Sequence, residues 1–131
     1  MTNPVLTAAA VLPALYLLYC IYQADRVEKE PTGLLISLAI SGIIATFLAM
    51  MAESVGYLLV SSVFWEGSIL YNFFFYFFVV ALSEEGFKYL LLKKRTWNSP
   101  AFNCRFDGVV YAVFVSLGFA LWENISYVGM Y

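Results

Sequence analysis

The apolar runs of this chain constrain its fold more than any other feature. A bilayer core about 30 Å thick is crossed by about 20 apolar residues in a helix. Four stretches approach or exceed that length: "VLTAAAVLPALYLLYCIY" (5–22), "GLLISLAISGIIATFLAMMA" (33–52), residues 67–92, and "GVVYAVFVSLGFALWENISYV" (108–128). The expected fold is therefore all-α, a polytopic transmembrane helical bundle of about four spans forming a single integral-membrane domain over residues 1–131. Composition agrees, with 63% hydrophobic and only 12% charged residues. The 19% aromatic content is more than a small soluble core buries without leaving adhesive surface.

The first run has the length of a signal peptide but lacks a basic leader and a cleavage site, so it reads as a retained span with Pro13 as a kink. Ser37, Ser41, Gly42 and Ala45 in the second run favour close helix packing. The stretch "SVGYLLVSSVFW" that follows Glu53 is too short to cross alone. It is expected to extend the second helix or lie at the interface, leaving Glu53 at the outer interface with no special role. The third run, about 39 Å by helical rise, must tilt or protrude.

Six of the seven Lys and Arg residues lie in two loops: Arg26 and Lys29 in 23–32, and Lys93, Lys94, Arg95 and Arg105 in 93–106. The positive-inside rule places both loops in the cytoplasm and both termini outside a cell membrane. Net charge is −2, so no electrostatic footprint for nucleic acid exists. Cys20 and Cys104 suggest neither a disulfide framework nor a metal motif.

The seventh cation, Lys88, sits in "SEEGFKYLLL", inside the third run. An ionisable group at mid-bilayer costs about 2.5–3.5 kcal/mol on insertion scales and usually has a partner or a task. Lys88 is spaced i,i+4 from Glu84 and i,i+3 from Glu85, so it reaches either carboxylate. One lysine cannot neutralise both, and the unpaired acid is suited to act as a general base for water. The plain alternative is a structural salt bridge joining helices, or charges near the cytoplasmic edge.

The fourth run adds Glu123, which shares a helical face with Ala112, Ser116, Phe119, Ala120 and Tyr127 and is expected to look into the bundle. Depth is the difficulty. Glu84 lies about 13 Å before Lys93 and Glu123 about 24 Å after Asp107. Helices starting level would hold the two acids about 10 Å apart in depth, unless the fourth starts lower or crosses steeply. Asp107 reads more readily as a helix N-cap than as a catalytic acid. Asn124 fits equally a hydrogen bond within the bundle and an oxyanion donor. Phe73–Phe78 read as lipid-facing and packing surface, and Tyr16, Tyr19 and Tyr22 as an interfacial anchor.

Three motifs together resemble the PrsW family of intramembrane proteases, relatives of the CAAX-prenyl-protease and bacteriocin-immunity superfamily. "DRVEKEP" (25–31) resembles that family's D-x-x-E-x-E-P segment, and "EEGFK" (84–88) its E-E-x-x-K motif. "FDGVVYAVFVSLGFALWEN" (106–124) resembles its F-D-G-x-x-Y and F-x-x-x-E-N region, with Phe119 and Glu123 as framing residues. The resemblance implies cleavage of a single-pass membrane protein such as an anti-sigma factor. Glu84 and Glu85 would activate water, Glu123 would orient it or share its proton, and Lys88 would hold the pair. That chemistry needs a water-filled pocket between helices.

No cofactor is implied, with a divalent metal the minority alternative because carboxylates alone make a poor zinc site. The wider family adds a histidine on a later helix, whereas this sequence has no histidine and stops at "YVGMY". The expectation is a piece of a larger protease or a short relative without the later helices. Two rivals stand beside proteolysis: a membrane scaffold that holds a partner helix on its acidic face, and a proton or cation carrier built on intramembrane acids.

Overall fold

The computed structural model describes residues 3–26 and 28–130. Val27, inside the first-loop motif, lies outside the described residues, as do the two N-terminal residues and Tyr131. Helix α1 (Pro4–Ala24) starts where physical chemistry expects it. The Asn3 side chain accepts a hydrogen bond from the Val5 amide at 3.0 Å, and Pro4 occupies a first-turn position that needs no donor. Pro13 lies within the helix without ending it.

Helix α2 (Thr32–Val63) carries the second apolar run past Glu53 and through "SVGYLLVSSV" without a break. At about 48 Å of rise it exceeds a bilayer core, so it tilts or projects. The third crossing is continuous from Ile69 to Thr96. It comprises α3 (Ile69–Asn72), a π-helical segment π1 (Phe73–Ala81) and α4 (Leu82–Thr96). Ser68 caps its start by accepting from the Tyr71 amide at 3.1 Å. Helix α5 (Arg105–Gly129) completes a fold with four membrane-length helices and no strand among the described residues.

Helix α2 is the hub, packing on α5, on α4 and on π1, while α1 packs on α5. The α2–α5 seam is closed by glycine. A Cβ on Gly118 would fall 2.1 Å from the Ala39 carbonyl oxygen, and one on Gly42 would fall 2.0 Å from that of Val115. The two backbones therefore touch, and Ala45 and Ala49 continue the contact with almost no exposed surface. Leu38, Val110, Tyr111 and Val115 form the fully buried centre nearby. Large apolar side chains such as Leu12, Met51, Phe77 and Leu90 remain exposed around the outside, as a lipid-facing surface requires. The chain is a multi-pass membrane protein.

Candidate active site

Antiparallel α4 and α5 are registered by one contact: the Lys88 ammonium nitrogen lies 4.6 Å from the centre of the Phe119 ring. One helical turn further along each helix come Glu84 and Glu123. Both line the same cavity, of about 300 Å³. The depth problem is resolved by unequal helix ends. Lys88 lies eight residues before the end of α4 at Thr96, and Phe119 fourteen after the start of α5 at Arg105. The six-residue difference is about 9 Å of rise. Helix α5 thus starts well below the end of α4.

The structure splits the Glu84–Glu85 doublet. Glu85 turns outward, with 73% of its side chain exposed, and takes Lys88 at 2.6 Å. Glu84 is left to the cavity. The third acid on the cavity wall is Glu53 of α2, a residue to which the sequence assigned no special role. Helix α2 runs unbroken past it to Val63 and holds it beside α4 and α5. A usable signal was present: on a helical wheel Glu53 falls between Gly42 and Thr46, within the face that α2 buries.

Thr46, Met50, Phe75, Tyr76, Val80, Ser126 and Tyr127 complete most of the lining. Phe75 and Glu84 are nine residues apart and would face opposite ways on a helix of about 3.6 residues per turn. The wider turns of π1 rotate the chain less per residue and bring both to one cavity. Among the described residues no hydrogen bond joins the three acids. They face a shared space rather than one another.

Asn124 does not reach the cavity. Its Nδ2 donates to the Ala10 carbonyl at 3.1 Å and ties α5 to α1. Asp107 also lies elsewhere, and it is not the N-cap itself. Cys104 holds that position, and Asp107 Oδ2 accepts from the amides of Asn103 and Cys104 at 2.9 and 2.8 Å. This is the reach-back half of a capping box.

Asp107 belongs to a second acidic group at the basic-loop end. Asp25, Glu30 and Asp107 are all nearly inaccessible. The Tyr111 hydroxyl donates to Glu30 Oε2, and the Glu30 amide donates to Asp25 Oδ2 at 3.2 Å. The first-loop motif thus folds onto the start of α5. Burial pushes the Glu30 carboxyl above the usual carboxylate range, helped by the charges of Asp107 and Asp25 and opposed by the Tyr111 hydrogen bond.

An all-helical bundle of membrane-length helices, with three carboxyls from three helices lining one cavity, defines a polytopic membrane protein with an acid-lined cavity. The sequence model of a family described as PrsW family intramembrane metalloprotease matches residues 30–131. The chain belongs to the PrsW family. It is 38% identical over 120 residues to "Protease PrsW" of Oceanobacillus iheyensis, covering 92% of this chain and 52% of the relative. It is 35% identical to the protein of that name from Clostridioides difficile (91% and 48% covered) and 31% to that from Bacillus subtilis (92% and 52%). The chain spans about half the length of the curated relatives it matches. No solved structure matches it.

The family's description names a metal, which requires a set of donors to hold it. The cavity offers three carboxyls and no imidazole or thiolate. Among the described residues no three His, Cys, Asp or Glu side chains gather closely enough to hold an ion. The described residues do not by themselves fit a metal centre.

Proposed function

We propose that this chain carries the acid site of an intramembrane endopeptidase that hydrolyses a single-pass membrane protein of the anti-sigma type. The observation that supports the reading is the convergence of Glu84 and Glu123 on one cavity from antiparallel helices. A carboxylate there takes a proton from water as that water attacks the scissile carbonyl, and its neighbour orients the water. Glu85 holds Lys88, and Lys88 over Phe119 keeps α4 and α5 in register. Loops 23–32 and 93–106 lie on the cytoplasmic side in this reading.

The test is cleavage of a purified single-pass anti-sigma-like substrate by the intact protein. Glu84→Gln and Glu123→Gln should each lower the rate by about 100-fold or more. Glu85→Gln should lower it less. A wild-type rate in either of the first two variants overturns the reading. Substrate that co-purifies in a Glu84-dependent way but is never cut favours the scaffold instead.

A further inference from the structure

We propose that Glu53 is the general acid of this site, giving its proton to the amine that departs when the peptide bond breaks. The inference rests on the proteolytic reading and goes beyond it by assigning a second chemical role to a residue on a third helix. Glu53 is the one acid that also lines a second, adjoining groove of about 510 Å³. Met50, Glu53 and Phe75 are common to both spaces, and Ser54, Tyr57 and Leu58 continue the groove along α2. Glu84 and Glu123 line the cavity alone. A peptide lying along the groove with its carbonyl in the cavity therefore passes Glu53 on its way out. Glu53 stands where the departing segment leaves, and the water-activating pair stands behind it.

Two further observations support the role. Glu53 is half-buried yet has no hydrogen-bond or ion-pair partner among the described residues, so no structural bond accounts for it. Among the described residues no Lys or Arg lines the cavity. Lys88 is absent from its lining, being bonded to Glu85 at 2.6 Å and set over Phe119. Glu53 is faced by Glu84 from α4, by Glu123 and Tyr127 from α5, and by Tyr76 from π1, with Tyr57 beside it on α2. Lys88 acts on Glu123 from outside the lining, but its ion pair is with Glu85, and among the described residues no cation pairs with Glu53.

The step balances. Water oxygen bonds to the carbonyl carbon while its proton passes to Glu84 or Glu123. The carbon–nitrogen bond then breaks, its electron pair goes to nitrogen, and the Glu53 proton follows. The proton taken from water returns to Glu53, leaving a carboxylic acid and an amine.

The experiment uses the intact protein and a set of quenched fluorescent single-spanning peptides. Each is made twice, once with an amide and once with an ester at the bond that the wild type cuts. An alkoxide leaves with far less need of a proton than an amine. Glu53→Gln should lower kcat on the amide about 100-fold or more while lowering it on the ester less than about 10-fold. The amide pH profile should lose its alkaline limb, and Glu53→Asp should recover part of both. Glu84→Gln should lower amide and ester alike. Equal loss on both substrates in Glu53→Gln, or no loss on either, overturns the inference and leaves the proteolytic reading standing. If the wild type cuts no member of the set, the proteolytic reading fails and takes this assignment with it.

Discussion

The Lys88 ammonium nitrogen sits 4.6 Å from the centre of the buried Phe119 ring, and this contact sets which residues of α4 and α5 meet. One turn toward the cavity from it lie Glu84 and Glu123. The lysine is doubly engaged, because its nitrogen also bonds Glu85 at 2.6 Å. A double-mutant cycle on Lys88→Met and Phe119→Leu, read as unfolding free energy in mixed micelles, should show a coupling of about 1 kcal/mol. Additive single effects would remove the registering role.

The α2–α5 seam leaves no room for a methyl group at Gly118, since the obstacle is the Ala39 backbone rather than a movable side chain. Gly118→Ala should destabilise by about 1–3 kcal/mol. Gly129→Ala, where nothing lies within 4 Å, should cost far less. Thermal midpoints in detergent compare the two directly.

Stability should also depend on acidity through Glu30, which lies outside the spans. Its carboxyl is held above the ordinary glutamate value of about 4.3 by burial. The folded chain then binds more protons than the unfolded one across the interval between the two values. Stability is therefore greatest below the unfolded value and falls as pH rises through that interval. Glu30→Gln should flatten the curve there while keeping an acceptor for the Tyr111 hydroxyl. A thermal-midpoint series from about pH 4 upward that slopes equally in both proteins would contradict this.

Orientation is checked by the protein's own thiols. Cys104 is exposed beside the basic loop, whereas Cys20 is partly covered within α1. A membrane-impermeant maleimide should label Cys104 only after the cytoplasmic face of the membrane is opened. Labelling of intact spheroplasts at Cys104 would reverse the assignment of loops.

Much of the fold was legible because lipid imposes a coarse rule, and apolar runs of sufficient length become helices. The glycine seam was legible too, since Gly42 and Ala45 lie on one stripe. Spacing alone limited Lys88 to Glu84 or Glu85 but did not choose between them. That choice depends on which face of α4 meets α2 and α5, a property of the packed bundle. Glu53 was given no special role because its share in the cavity depends on how α2 packs against α4 and α5. The π turns were not legible either, since "FFFYFFVVA" carries the same side chains whether its amides bond four or five residues back. Asn124 was left between two roles until α1 supplied its acceptor at Ala10.

The most direct test of the shared cavity is a cross-link across it. In the intact protein with Cys20 and Cys104 replaced by serine, the pair Glu84→Cys and Glu123→Cys is treated with a short bifunctional maleimide. The pair Glu85→Cys and Glu123→Cys serves as the control. Efficient linkage of positions 84 and 123, with little between 85 and 123, is the predicted result. Linkage of 85 to 123 without that of 84 to 123 would mean that the doublet faces the other way, and the acid site described here would not exist.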